Sequence, residues 1–169
     1  MGDYLMALEL NGTTGVSLVQ DGVVTAADLA FTPGKILQIV QTSSTVQFTS
    51  TSTSFVATNI TGSITPSSTS SKILIISEGV LNTNGTDERM ALTIYRGATN
   101  LGVGSFSGLS YFHISGGQGL ATLNMHYIDS PSTTSSTTYT VYYRVTNGTS
   151  SGIRNELTGG RMILMEIAA

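Results

Sequence analysis

Short apolar segments with a two-residue or continuous pattern dominate the chain from Lys35 onward, and helical periodicity is almost absent. The segments Val46–Thr65 and Thr138–Thr146 alternate apolar with hydroxyl side chains, as strands with one buried face do. Lys35–Thr42 and Lys72–Leu81 carry apolar groups on both faces. Three further segments complete the pattern: Arg89–Arg96, Ala121–Asp129 and Arg161–Ala169. Together they predict seven to ten short strands.

Residues typical of tight turns separate these segments. Four pairs supply the positive φ values that a reversal needs: Asn84-Gly85, Gly116-Gly117, Asn147-Gly148 and Gly159-Gly160. Pro33, Pro66 and Pro131 all fall at segment ends, where a missing N–H breaks no ladder. Many short antiparallel strands with such turns predict an all-β sandwich or barrel.

A proline followed by a run of hydroxyl residues precedes two of the strand-like segments. The stretch TPSSTSSKILIISEGV begins at Thr65, and SPSTTSSTTYTVYYRV begins at Ser130. We interpret the pair as two related loops that cross one end of the sandwich, each leading into a strand. The repeat therefore indicates architecture and not a ligand site.

Composition excludes several classes of function. Ser and Thr account for 48 of the 169 residues, which favours strands and polar turns over helices. The net charge is −3 and no block of Lys or Arg occurs, so a surface for the phosphate backbone of nucleic acid is missing. Because cysteine is absent, disulfides and thiolate metal sites are excluded.

The amino-terminal stretch MGDYLMALELNG lacks a basic region and an unbroken apolar core, so it does not resemble a secretory signal. No segment reaches the roughly 18 to 20 apolar residues of a membrane helix. We therefore expect synthesis in a cytoplasm and no membrane insertion.

The first and last strands of the sandwich predict an interface between identical subunits. Both are nearly continuous apolar runs, whereas a face open to water should alternate. No second layer of helices is evident to cover them, so we expect a homo-oligomer. A monomeric sandwich with both strands at its centre is the alternative. The candidate interface residues are Ile36, Leu37, Ile39, Val40, Met162, Ile163, Leu164, Met165 and Ile167.

Residues 1–33 differ from the rest and are too short to hold a core of their own. They contain alternating apolar residues that another subunit or protein could cover: Leu8, Leu10, Val16, Leu18 and Val23. We expect an anchoring arm over residues 1–33 and a sandwich domain over residues 34–169. A disordered leader is the alternative.

No catalytic constellation is evident. Neither His113 nor His126 has a second ligand at metal-binding spacing, and no Gly-x-Ser-x-Gly elbow occurs. A catalytic pair of carboxylates from distant strands stays an alternative, because the fold could bring such residues together. None of the ten Asp and Glu residues lies in a recognisable motif, however. We expect no enzymatic activity, no cofactor and no metal.

The Gly-rich segment from Gly102 to Gly119 is the longest irregular stretch predicted. Its ring-bearing side chains are Phe106, Tyr111, Phe112 and His113. They could form an exposed contact surface for a host glycan or a neighbouring protein. Equally, they could fix the loop to the sandwich.

Several segments resemble short virion structural proteins of phages that infect cyanobacteria and marine bacteria. The resemblance runs from about Phe31 to Ala169 through FTPGKILQIVQT, TSFVATNITGSITPSSTSSKILI, MALTIYRG, IDSPSTTSSTTYTVYYRV and MILMEIAA. It implies a jelly-roll sandwich similar to tumour-necrosis-factor and C1q domains, assembled as a homotrimer with the first and last strands near the threefold axis.

The resemblance implies one of two roles. The first is a capsid decoration or cement protein on the head exterior, bound to the major capsid protein or other virion proteins. The second is a tail or head fibre tip that contacts a host surface glycan. Because 33 residues supply little of a fibre shaft, we favour decoration, with residues 1–33 as the anchor.

Overall fold

The computed structural model describes residues 34–83, 87–103, 108–117, 119–146 and 151–169. In these ranges the chain forms strands and one four-residue helix. Their bounds are β1 (Ile36–Ser44), β2 (Phe48–Ser50), β3 (Val56–Ile64), β4 (Lys72–Thr83), β5 (Glu88–Arg96), β6 (Thr99–Asn100), β7 (Ser110–Ile114), β8 (Gly119–Asp129), β9 (Thr137–Val145), β10 (Ser151–Ile153), α1 (Asn155–Thr158) and β11 (Gly160–Ile167).

The strands form two antiparallel sheets. In sheet A, β8 pairs with β4, and the other side of β4 pairs first with β11 and then with β10. β1 pairs with β11 and β2 with β10, so β1 and β2 form one margin of the sheet and β8 the other. In sheet B the order is β3, β9 and β5, with β6 and β7 both on the far side of β5.

The pairing is nested along the chain. β1 pairs with the last strand β11, β3 with β9, β4 with β8 and β5 with β7. Antiparallel pairs nested in this way and divided between two facing sheets define a jelly roll. The expected all-β antiparallel jelly-roll sandwich is therefore confirmed.

One core lies between the sheets. The long strands β3, β4, β5, β8, β9 and β11 contribute fully buried apolar side chains, and β1 adds the partly buried Val40. Sheet A contributes Ile75, Leu123 and Leu164, while sheet B contributes Leu92 and Val141. The two-residue pattern of the sequence thus assigned one face of each strand to this core.

Every long strand predicted from the sequence is present. The short elements were missed: β6, β7 and β10 have two to five residues, and α1 has four. So few residues show no period. Pro66 and Pro131 follow the ends of β3 and β8, as predicted for residues without an N–H. The predicted arm lies outside the described residues, so the boundary at residue 33 stays a prediction.

Candidate interaction surface

The outer face of sheet A carries a row of apolar side chains that crosses four of its six strands. Ile39 of β1 stands opposite Met165 of β11, Met165 opposite Leu74 of β4, and Leu74 opposite Ile128 of β8. Residues opposite one another on one face of an antiparallel pair have Cβ atoms about 4.5–5.5 Å apart, so the row is continuous. Its two ends are open to solvent, with Ile39 58% and Ile128 56% exposed.

The rows on either side extend this surface. On one side Ile36 stands opposite Ile167. On the other, Ile163 of β11 stands opposite Ile76 of β4. We call the combined surface the apolar face; its members are Ile36, Ile39, Leu74, Ile76, Ile128, Ile163, Met165 and Ile167. All eight are half-buried or exposed in the single chain.

Polar residues bound the apolar face. The next row along the strands holds Ser43, Arg161, Glu78 and Asn124. Arg161 Nη1 lies 3.9 Å from Glu78 Oε2, and both side chains are half exposed. Lys72 stands opposite Ile167 at the other boundary. The apolar surface is therefore confined to the end of sheet A where β1 begins and β11 ends.

The nine predicted interface residues divide by the face on which they lie. Ile36, Ile39, Ile163, Met165 and Ile167 belong to the apolar face, and Leu37 lies exposed at an irregularity in the pairing of β1 with β11. Three others point inward: Met162 and Leu164 are fully buried, and Val40 packs against the core. These three side chains therefore contribute to the core of their own subunit and do not belong to the apolar face.

Sequence reasoning missed the part of the apolar face on β4 and β8. Leu74 and Ile76 were visible in a segment apolar on both faces, but that segment was not considered for an interface. Ile128 was missed because the interpretation of its strand considered only the face that carries Leu123, Met125 and Tyr127. Register across the sheet, which no single segment reveals, places Ile128 in the row. The predicted arm residues Leu8, Leu10, Val16, Leu18 and Val23 lie outside the described residues.

The predicted contact loop is partly a strand. Tyr111, Phe112 and His113 lie in β7 and pair with β5, so the prediction of an irregular segment was wrong here. Phe112 packs against the core, while Tyr111 and His113 alternate to the outer face of sheet B. One ring therefore fixes the segment to the sandwich and two are available for contact. Phe106 lies outside the described residues.

His113 Nε2 forms a hydrogen bond with Asp87 Oδ1 on the surface of sheet B. This bond, followed by the charge of Arg89, lowers the pKa of Asp87. Elsewhere on the same face the rings of Tyr95 and Tyr142 stack with centroids 3.9 Å apart, and Arg144 lies over the ring of Phe55. The outer face of sheet B is thus aromatic and polar, in contrast to the aliphatic face of sheet A.

Two buried carboxylates serve the architecture. Glu166 of β11 accepts hydrogen bonds from Ser67, Ser71 and Gln38. Burial acts to raise the pKa of Glu166, but these hydrogen bonds outweigh it and lower the pKa to about 2. Near the second hydroxyl tract, Asp129 accepts from Tyr139 at 2.7 Å and from Arg96 Nη1 at 2.9 Å to each oxygen.

Both groups have structural partners within the sandwich. Burial, followed by the neighbouring Asp129 carboxylate, raises the pKa of Tyr139, so its hydroxyl stays a donor. Within the described ranges no group of three or more His, Cys, Asp or Glu residues could hold a metal ion. The same part of the chain contains no helix long and apolar enough to cross a membrane.

No protein-family model matches the chain, and no curated protein matches it in sequence. Solved structures of infectious bursal disease virus show a weak likeness. The T13 viral particle gives a TM-score of 0.43 at 13% identity over 75% of this chain. The structure of the Gx strain has a TM-score of 0.44 at 12% sequence identity over 78% of this chain. The VP2 subviral particle has a TM-score of 0.42 at 13% sequence identity over 78% of this chain.

The chain spans 30%, 33% and 37% of the length of these three viral chains. TM-scores of this size do not establish a shared fold, and the identities are far too low to transfer a function. The jelly-roll assignment therefore rests on the nested strand pairing.

Proposed function

We propose that the chain is a non-enzymatic structural protein of a virion, and that it assembles as a homotrimer through its apolar face to decorate the exterior of a capsid. The observation that carries the proposal is the apolar row from Ile39 to Ile128, which is exposed at both ends. The resemblance of the sequence to phage virion proteins supplies the context of the virion.

The energetics favour engagement of the whole apolar face. Complete burial of an isoleucine side chain is worth roughly 1.5–3 kcal/mol, so covering the half-exposed Ile36, Ile39 and Ile128 supplies about 3 kcal/mol. Association costs at least about 4 kcal/mol in lost translational and rotational freedom. The half-buried members of the face must therefore also be covered, which requires a partner that lies across the sheet and not only along one margin.

Charge on the apolar face permits a second copy of this chain as the partner. The net charge of −3 makes identical chains repel one another. The described rows of the apolar face contain no outward Asp or Glu. The acid of the adjoining polar row, Glu78, lies 3.9 Å from Arg161. This surface is thus one where two copies can approach with little repulsion. A closed ring of three would let each subunit contact both neighbours.

In the decoration role, residues 1–33 anchor the trimer to the major capsid protein or to other virion proteins. Three arms bound at once would add by avidity without any covalent chemistry. The trimer would then hold neighbouring capsid subunits together from outside.

Two measurements test this role. The number and position of copies in the virion, determined by cryo-electron microscopy, should be hundreds on the head; a dozen or so copies at the tail would contradict decoration. Deletion of residues 1–33 should abolish binding to particles while leaving the trimer intact. Binding of the truncated trimer at the occupancy of the full chain would rule out the anchoring arm.

A fibre tip that contacts a host glycan is the second candidate. It is favoured by the outer face of sheet B, where Tyr111 and His113 stay exposed when the apolar face is covered. In this case the double change Tyr111→Ala and His113→Ala should abolish adsorption to the host while leaving heads intact. Adsorption at the normal rate would exclude a contribution from these two side chains.

A further inference from the structure

His126 lies at the margin of the apolar face. It is exposed on the outer side of β8, opposite Ile76 of β4 and two residues from Ile128. The row to which it belongs continues through Ile163 to Gln41 of β1. Among the described residues in the three rows of the apolar face, the ionisable side chains are His126 and, at the boundary, Lys72.

The charged groups around His126 are few. On β4 the outward Glu78 stands one row away, opposite Asn124, and lies 3.9 Å from Arg161 of β11. Lys72 is two rows away on the same strand. On β8 itself the charged residue is Asp129, whose buried side chain lies on the inner face and pairs with Arg96. On its other side β8 has no paired strand among the described residues.

We propose that His126 makes the association of subunits depend on pH, so that the assembled form is favoured when this histidine is neutral. The inference rests on the proposed function, because it requires a second copy to cover the apolar face. A subunit that covers Ile128 also removes water from the neighbouring imidazole. Transfer out of water disfavours the charged form of a histidine, and no carboxylate of the face stands opposite to compensate.

The direction follows from linkage. The free chain binds a proton at this histidine more readily than the assembled chain does, so protons favour the free chain. Association therefore weakens as the pH falls, because acid favours the free, protonated chain. The loss reaches at most about tenfold per pH unit for each histidine that is buried.

The experiment measures association by sedimentation velocity from pH 8 to pH 5.5 at constant ionic strength. Three chains are compared: the wild type, His126→Gln, and His113→Gln as the matched control. The chain contains only these two histidines, and His113 lies on sheet B. Near-ultraviolet circular dichroism of the tyrosines at each pH verifies that the fold is unchanged.

We expect the wild type and His113→Gln to dissociate progressively as the pH is lowered across the measured range, and His126→Gln to stay associated. Persistence of the pH dependence in His126→Gln, or tighter association of the wild type in acid, would overturn the inference. A wild type that associates equally at all pH values would overturn it too, while leaving the proposed trimer in place. A monomer at pH 8 would instead refute the proposed assembly itself.

Discussion

The hydroxyl of Ser71 donates a hydrogen bond of 2.7 Å to Oε1 of Glu166, and so joins the loop before β4 to the last strand. The same oxygen accepts from the backbone N–H and the hydroxyl of Ser67, while Oε2 accepts from Gln38 of β1. A single buried carboxylate thus fixes three segments at one end of the sandwich. The first hydroxyl tract supplies the donors for it.

Replacement of Glu166 by Gln should destabilise the fold by about 2–4 kcal/mol, because hydrogen bonds to a charged acceptor are worth about 1.5–3 kcal/mol and the buried Ser71 donor loses its carboxylate. Urea unfolding at neutral pH measures the change. Glu78→Gln is the matched control. Its carboxylate is half exposed and 3.9 Å from Arg161, so the expected loss is below about 1 kcal/mol. Equal losses of unfolding free energy in the two variants would show that the hydrogen bonds to Glu166 stabilise the fold no more than the exposed ion pair of Glu78 does.

The stabilising effect of Glu166 should depend on pH in a defined window. Its pKa is about 2 in the folded chain and 4.5 when unperturbed, so the folded state binds the proton more weakly. The contribution is complete above the unfolded value and is lost as the pH falls from 4.5 towards 2. The difference in unfolding free energy between the wild type and Glu166→Gln should therefore narrow across this window. A difference that stays constant down to pH 2 would contradict the lowered pKa.

The sequence predicted the sandwich because the alternating strands show their buried face in a two-residue pattern. In β9, for example, Tyr139, Val141 and Tyr143 alternate with outward residues, and all three are fully buried. The hydroxyl tracts were correctly assigned to loops between strands. The contact between the first hydroxyl tract and Glu166 was not predicted. Glu166 lies 95 residues from Ser71, and a hydrogen bond between residues so far apart produces no pattern in the sequence around either one.

The candidate surface was predicted only in part, for a related reason. A continuous apolar run such as Met162–Ile167 shows that both faces are apolar but not which side chain points to which. The burial of Met162 and the outward position of Ile163 follow from the register between β11 and β4. The extension of the surface to Ile128 depends on the pairing of β4 with β8. Interface residues are therefore a property of the assembled sheet.

Gly152 should tolerate no side chain. A Cβ atom at this position would collide with the backbone carbonyl of Phe48, where β10 pairs with β2. Backbone atoms in a paired strand cannot move aside easily, so Gly152→Ala should cost about 2–3 kcal/mol or separate β2 from the sheet. Thermal unfolding and amide hydrogen exchange of β2 measure the two outcomes. Gly116→Ala is the control, since a Cβ there meets nothing within 4 Å; equal stability of the two variants would contradict the prediction.

Arg96 should contribute more to stability than any exposed cation. Its Nη1 lies 2.9 Å from both oxygens of Asp129, whose side chain is 7% exposed. Arg96→Met leaves that carboxylate with the Tyr139 hydroxyl as its remaining side-chain donor. Removing one partner of a buried pair costs about 3–5 kcal/mol, and partial exposure of Arg96 reduces the expected loss to about 2–3 kcal/mol. Arg161→Met, in the exposed pair with Glu78, should cost below about 1 kcal/mol in the same urea experiment.

A single acidic residue in the apolar face should prevent association. Ile39→Glu and Ile128→Glu each place a charge at one end of the exposed row, where covering it would require removing a carboxylate from water. If the proposed trimer forms, we expect both variants to sediment as folded monomers at concentrations where the wild type is associated. The expected effect on the association constant is at least about a hundredfold. Val103→Glu makes the same change in charge at a side chain that is 75% exposed but lies outside the apolar face, so it should stay trimeric. Ile128 was not part of the interface predicted from the sequence, which included only the first and last strands. Its variant therefore distinguishes that narrower interface from one that extends across the sheet to β8. A trimeric Ile128→Glu beside a monomeric Ile39→Glu would confine the contact to the margin formed by the first and last strands.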